Sequence, residues 1–302
     1  MINIRDIEFE LTNRCNAACP LCARTGKVFQ SFDDIPVNIL EDIFRSDSVN
    51  LDYVKYCGTF GDPLSHPNFL EIVEIASYEG VKTQDISTNG SIRNEDWWKQ
   101  LAQFPVKTIF CIDGLEDTNH IYRRNTSFKK IIKNAKSFID NGGNAEWRFI
   151  PFEHNEHQVE EARQMAEDLG FDNFVVKVSV RTTEKEGIRY SKKFTNNFKK
   201  SYTFTRGIKN IEEKEIECYS KRRGHFFITA QAQVYPCCFI AITRDNRGIK
   251  NDLHKYSIEE IIDDYRKNLR GFELDWEKRS IIKCNNNCGT VKKTHNFIVD
   301  NF

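Results

Sequence analysis

Net charge is the first thing this chain lacks. Its 44 Lys and Arg are balanced by 44 Asp and Glu, so bulk electrostatics names no partner. Long apolar runs are missing as well, and no stretch approaches the roughly 20 residues that cross a bilayer. The first residues, MINIRDIEFE, carry no secretory signal. A charged, loop-poor chain of this kind reads as soluble and cytoplasmic, where thiols stay reduced. Its ten cysteines are therefore not expected in disulfides and need another use. At 302 residues the chain has room for one large domain and a smaller one around a substantial core.

Three cysteines, Cys15, Cys19 and Cys22, fall close together in ELTNRCNAACPLC, just past a strand-like segment. No fourth Cys or His stands near them, although a structural zinc takes four ligands. Three thiolates can instead hold three irons of a 4Fe-4S cluster and leave the fourth iron open. The Cys-x3-Cys-x2-Cys spacing resembles the signature of the radical S-adenosylmethionine (SAM) superfamily. That resemblance implies that the open iron is chelated by the amine and carboxylate of SAM's methionyl group.

Strand-like and helix-like segments alternate through the first 180 residues, as in parallel strands joined by crossover helices. Strands are expected near 7–11, 53–57, 83–87, 107–112, 146–151 and 174–178. Helices are expected at 95–103, 127–139 and 157–169, the last behind a capping box of Asn155 and Gln158. The fold class is α/β. Six β/α units agree with the partial (β/α)6 TIM barrel of radical SAM cores, here 1–182. A basic connecting segment, 183–210, and a Twitch/SPASM-like domain with a hairpin and helix, 211–302, would follow.

Barrels of this kind hold ligands at the carboxyl ends of their strands. The second strand leads into Cys57-Gly58-Thr59-Phe60-Gly61-Asp62-Pro63, which resembles the family's Gly-Gly-Glu-Pro motif with Asp62 in place of Glu. The resemblance implies that Gly58, Gly61, Asp62 and Pro63 hold SAM's amino group, glycine being needed for close backbone approach. The third strand ends in Ser87-Thr88-Asn89-Gly90, a Thr-Asn-Gly sequence that the family places beside the ribose; alone it would read as a turn. Asp113-Gly114 follows the fourth strand, with His120 and Arg123 behind it. These resemble the Asp-Gly and His-x2-Arg elements of subfamilies with extra clusters. The fifth strand carries Arg148, which either meets SAM's carboxylate in a charge-assisted bond or is a salt-bridged strand residue, and Asn155 comes after it. Cys57 and Cys111, at strand ends, read as small buried apolar residues.

Residues 181–210 hold nine Lys or Arg against two Glu. Such a run reads as a solvated linker or as a patch for an anionic substrate. Aromatics interleave with it, at Tyr190, Phe194, Phe198, Tyr202 and Phe204, so nucleic acid stays a third option.

Beyond residue 210 a hairpin is expected from His225 to the thiols Cys237 and Cys238. An amphipathic helix follows, with Ile258, Ile261, Ile262, Tyr265 and Leu269 on one face, a capping box of Ser257 and Glu260, and Gly271 marking its end. Cys284 and Cys288 follow in KCNNNCG. This order resembles the Twitch domain, the shortened relative of SPASM. It implies one auxiliary 4Fe-4S cluster on Cys218, Cys237, Cys284 and Cys288, with Cys238 a substitute for Cys237. Tetrathiolate zinc is the alternative occupant.

The family's chemistry implies an electron from flavodoxin or ferredoxin, reductive cleavage of SAM, and hydrogen abstraction from substrate. An auxiliary cluster that takes an electron back makes the outcome oxidative: a dehydrogenation, or a new bond in a peptide. The second cysteine group resembles that of an amino-cyclitol dehydrogenase, which favours a small polar molecule. Peptide maturases use the same parts, though many carry a recognition domain ahead of the barrel, where this chain has fourteen residues before Cys15. A non-catalytic iron-sulfur or zinc binding module is the reading from a different class. No membrane partner is expected.

Overall fold

The computed structural model describes residues 4–25, 31–178, 184–195, 214–216, 219–243, 248–277 and 289–291. Six strands, β1 (Ile4–Phe9), β2 (Val49–Tyr56), β3 (Thr83–Thr88), β4 (Val106–Cys111), β5 (Asn144–Phe149) and β6 (Asn173–Val176), alternate with α1 (Val37–Arg45), α2 (Phe69–Tyr78), α3 (Glu95–Leu101), the short α4 (Asn119–Tyr122), α5 (Phe128–Ile139) and α6 (Val159–Asp168). Each strand pairs in parallel with the next in sequence. All six expected strands and three expected helices form, with shifted ends.

Alternation along the strands explains the layering. Phe9, Tyr56, Phe110 and Trp147 are fully buried. Phe9 meets Phe44 of α1, Tyr56 meets Phe69 of α2, and Phe110 meets Trp98 of α3 and Phe138 of α5, with ring centroids 5.1–6.2 Å apart. The intervening positions are Glu8, Lys55, Asp85, Lys107, Glu146 and Arg148. Parallel strands buried on both faces read as continuous apolar runs. Here the face away from the helices is charged.

Local signals set several helix starts. Asn94 accepts the Trp97 N–H ahead of α3, and Ser127 accepts the Lys130 N–H ahead of α5. The capping box expected at Asn155 and Gln158 does not form. Asn155 instead accepts the Phe152 N–H and donates to the carbonyls of Asp113 and Ile150. Gln158 accepts the Leu115 N–H. Both side chains tie loops together, because buried unpaired carbonyls and amides in those loops need partners more than the helix start does.

The hairpin of β8 (His225–Ile228) and β9 (Val234–Tyr235) joins the same sheet, β8 lying parallel to β1 with Asp6 opposite His225. The sheet therefore runs β6-β5-β4-β3-β2-β1-β8-β9. Short α7 (Tyr219–Arg223) precedes β8 and α8 (Cys238–Thr243) follows β9. The helix α9 (Ile258–Glu277) starts with the expected reciprocal box, Ser257 N–H to Glu260 at 3.0 Å and Glu260 N–H to Ser257 Oγ at 3.3 Å. It does not end at Gly271 but runs to Glu277, since one glycine costs a helix only about 1 kcal/mol. The strand β7 (Lys214–Ile216) pairs antiparallel with β10 (Gly289–Val291). No helix among the described residues is long and apolar enough to cross a membrane.

Residues 184–195 of the basic segment are pinned to the main body. Phe152 and Tyr190 form a β-bridge, and Ile188 is buried. Local carboxylates take part of the charge, with Arg189 on Glu184 and Arg124 on Glu186. The rest of that segment lies outside the described residues.

Candidate active site

The cysteine loop leaves the carboxyl end of β1 and is folded by short bonds of its own. The Cys22 N–H reaches the Cys19 carbonyl at 3.1 Å, and the Thr25 hydroxyl donates to that same oxygen at 2.6 Å. Cys19 is buried and Cys15 and Cys22 half-buried, against Ala17, Tyr122, Phe152 and Ile188, a cluster separate from the main core. Tyr122 and Phe152 pack with ring centroids 4.4 Å apart and planes tilted by 41°. Each sulfur faces an N–H donor: Asn89 Nδ2 lies 3.8 Å from Cys15 Sγ, Arg123 Nη1 3.9 Å from Cys19 Sγ, and the Arg24 N–H 3.4 Å from Cys22 Sγ. Burial pushes the Cys15 thiol up to about 12 and the Cys19 thiol up as well. Among the described residues no three His, Cys, Asp or Glu side chains converge on a single metal-ion position. A cubane cluster binds each thiolate at a different iron and does not need them to.

The loop after β2 docks on the cysteine loop through its backbone. The Asp62 N–H donates to the Arg14 carbonyl at 2.7 Å. A Cβ on Gly61 would run into the Thr12 carbonyl, so only glycine allows this approach. The Asp62 carboxylate, 4% exposed, is a hub. It accepts the Leu64 N–H at 3.1 Å, the Thr88 hydroxyl at 2.9 Å, and the Asn89 backbone and side-chain N–H groups at 2.8 Å each. Its oxygens are thus turned toward protein donors, and burial raises its pKa. Pro63 opens the buried one-turn helix Pro63–Ser65 behind it. Gly58 packs on the Gly61 backbone, where a Cβ would clash. Ser87 is half-buried at the end of β3.

Asp113, fully buried after β4, accepts Arg123 Nε at 2.6 Å and the Ile150 N–H at 2.7 Å. Desolvation opposes the charge on Arg123, but Asp113 and then Cys19 outweigh it and hold the guanidinium well above its ordinary value. Burial raises the Asp113 carboxyl. With one oxygen on Arg123 at 2.6 Å and the other on an amide, Asp113 anchors the guanidinium that reaches Cys19.

The remaining residues divide. Exposed His120 does not join this group. Arg148 holds Glu146 through Nε and Nη2. Cys57 is no passive apolar residue, because its thiol donates to Glu8 Oε1 at 2.6 Å. The thiols read as auxiliary ligands are split: Cys237 and its substitute Cys238 are half-buried where β9 meets α8, while Cys218, Cys284 and Cys288 lie outside the described residues.

Glu10 is a residue that sequence reasoning passed over. Its carboxylate accepts the Phe60 N–H at 2.6 Å, folding the glycine loop around itself. Burial lifts its pKa to about 7, against the amides of Phe60, Thr59 and Gly61. An acidic residue on the inward phase of a strand, five positions before the first cysteine, was the available signal. A cavity of about 400 Å³ opens beside Cys15, with Arg14, Arg24 and Arg93 in its wall.

Known proteins are similar to this chain in sequence or fold. A curated protein of Pyrococcus furiosus, described as a tungsten-containing aldehyde ferredoxin oxidoreductase cofactor-modifying protein, is 28% identical over 116 residues, 37% of this chain and 32% of that protein. The chain thus matches about a third of that relative's length. Streptococcus suis SuiB bound to precursor peptide SuiA superposes with a TM-score of 0.64 at 16% identity, over 85% of this chain and 64% of SuiB. BtrN in complex with AdoMet and 2-DOIA gives a TM-score of 0.51 at 13% identity, over 94% and 92% of the two chains. These two likenesses are of fold. The family model described as Radical SAM superfamily matches residues 9–169. Since that span holds more than half of the chain and every strand-end loop that meets the cysteines, the chain belongs to the radical SAM superfamily.

Proposed function

We propose that this chain is an oxidative radical SAM enzyme on a partial (β/α)6 barrel, acting on a small polar molecule or a peptide with the help of an auxiliary 4Fe-4S cluster. One observation carries the reading. Loops from three other strand ends reach the cysteine loop, through Asp62 to the Arg14 carbonyl, Asn89 to Cys15, and Arg123 to Cys19. Such convergence serves a ligand held at the cysteines. The strands run in strictly sequential order. Lys55 on β2 also senses Lys177 beyond β6 across three intervening strands, as a curled sheet would allow.

The donor set fits a 4Fe-4S cluster on Cys15, Cys19 and Cys22. Burial favours the neutral thiol at Cys15 and Cys19, so thiolates there are tenable only around a cationic centre, and the N–H groups facing the three sulfurs suit thiolate. When bound, cluster and SAM supply reductive cleavage to methionine and a 5'-deoxyadenosyl radical that takes a hydrogen atom from substrate. The chain's own residues position and shield. Asp62 fixes Thr88 and Asn89; Gly58 and Gly61 open the backbone to close approach; Pro63 and Ser87 border the same loops. Arg123, anchored on Asp113, stabilises charge at Cys19. The Tyr122, Phe152 and Ile188 cluster keeps water from the cysteines. Arg14, Arg24 and Arg93 beside Cys15 suit docking of an acidic flavodoxin or ferredoxin.

The auxiliary cluster is assigned to Cys218, Cys237 or Cys238, Cys284 and Cys288, and an electron acceptor there makes a net two-electron oxidation balance. A peptide substrate is favoured by the SuiB likeness and a small polar one by BtrN. Anaerobic reconstitution with iron and sulfide, then dithionite and SAM, tests the reading. 5'-Deoxyadenosine should form and vanish in Cys19→Ala; iron bound without any 5'-deoxyadenosine would refute it. A variant with Cys15, Cys19 and Cys22 all changed to Ala should retain about four irons, and zinc or nothing in their place would remove the auxiliary cluster.

A further inference from the structure

The face of the sheet away from the helices carries charge that the chemistry above does not use. Parallel register sets Glu8 beside Lys55, Lys55 beside Asp85 and Asp85 beside Lys107, a rank of alternating sign across β1 to β4. Lys107 Nζ reaches Glu146 on β5 at 2.6 Å, and Arg148 grips the same carboxylate at 2.5 and 3.0 Å. Every acid in the rank has a base against it.

One base is left over. Lys177 stands one residue past β6, its N–H on the Phe149 carbonyl at 2.8 Å. It has the strand phase of Val175, which is paired with Arg148, so it shares the inward face. Its charged neighbours there are Arg148 and Lys55, both of like sign, with Cys111 and Cys57 nearby. Asp113 feels the Lys177 charge but is held by Arg123, and no described carboxylate forms an ion pair with the lysine. Burial, then these two cations, push the Lys177 amine down. Arg148, its side chain 17% exposed, spends Nε and Nη2 on Glu146 and leaves Nη1 without a protein partner among the described residues. A half-buried ammonium on the same sheet face as a guanidinium, with donors unspent on both among the described residues, is stabilised by an anion between them.

We infer that Lys177 and Arg148 form an anion subsite on the inward face of the sheet, which takes a carboxylate or phosphate group of the substrate. The inference deepens the proposed function and rests on it, because it assumes that substrate enters this face. Asp113, Arg123 and Cys19 lie beyond the strand ends, whereas Arg148 lies within β5 and Lys177 one residue past β6.

The test is calorimetric titration of the anaerobically reconstituted full chain with inorganic phosphate and, separately, with acetate. Wild type should bind at least one of them, with phosphate preference pointing to a phosphorylated substrate and acetate preference to a carboxylate. Lys177→Met should weaken that binding at least ten-fold, Lys177→Arg should restore it, and Lys192→Met, an exposed lysine, should not change it. Saturating SAM should leave binding in place. Equal binding by wild type and Lys177→Met, no binding of either anion by wild type, or displacement by SAM would overturn the subsite, the last by assigning the pocket to SAM's own carboxylate. Wild-type 5'-deoxyadenosine formation, read in parallel, separates the two failures: SAM cleavage without Lys177-dependent binding removes only the subsite, and binding without cleavage removes only the radical reading.

Discussion

Changing Asp62 to Asn tests whether the loops after β2 and β3 are held by one carboxylate. The side chain keeps its volume, but one oxygen becomes an N–H donor among groups that already donate. The least damaging orientation leaves the amide carbonyl facing both N–H groups of Asn89, now at 2.8 Å, and turns the new NH2 toward Leu64 N–H, now at 3.1 Å. The Thr88 hydroxyl can rotate to accept. One buried N–H is then orphaned, at about 1–3 kcal/mol, and two surviving bonds lose charge assistance, at about 1 kcal/mol each. Relief of a desolvated carboxylate returns about 1 kcal/mol. The net loss is about 2–4 kcal/mol, or several degrees in thermal midpoint. Anaerobic scanning fluorimetry with and without SAM reads it, and the stabilisation by SAM should shrink together with the midpoint. A variant that melts within about 1 °C of wild type, with its SAM response intact, would refute the hub.

Gly61→Ala should abolish SAM binding and lower cluster content, since its Cβ meets the Thr12 carbonyl; iron content and SAM titration check it, and a wild-type result would remove the close-approach argument. Glu10 sets a pH dependence. Its folded pKa of about 7 exceeds the unfolded value, so the folded state holds the proton more tightly and stability falls as pH rises from about 4.5 to 7. The full loss is about 3 kcal/mol. Glu10→Gln should erase this slope and be the more stable form at about pH 8, as thermal midpoints across pH would show; parallel profiles for the two proteins would count against it. Cys57→Ala and Cys111→Ala should each leave iron content unchanged, because neither thiol is assigned to a cluster. Loss of iron in Cys57→Ala would make it a ligand.

Elements with a strong local cause are legible in the sequence. The six strands read from alternation with helices, and the Ser257 and Glu260 box reads from spacing, because period and capping act within a few residues. Asn155 and Gln158 have the same spacing and take another role, since loops distant in sequence offer them better partners. Gly271 looks like a stop, yet the helix continues through it. The alternating rank of Glu8, Lys55, Asp85 and Lys107 is invisible in one dimension, because register between strands brings those four together.

The sequence by itself determined the family. Cys15, Cys19 and Cys22 fall within one short loop, and they, with the glycine and Thr-Asn-Gly motifs, are local features that need no tertiary structure to be read. Tertiary structure alone decided how those motifs meet: that Asp62 turns its oxygens to Thr88 and Asn89, that Glu10 folds the glycine loop, that Arg123 anchored on Asp113 reaches Cys19, and that Lys177 has no ion-pair partner among the described residues. The physical reason is that hydrogen bonds and ion pairs act over a few ångströms, and only folding brings residues 62 and 89, or 113 and 123, within that range.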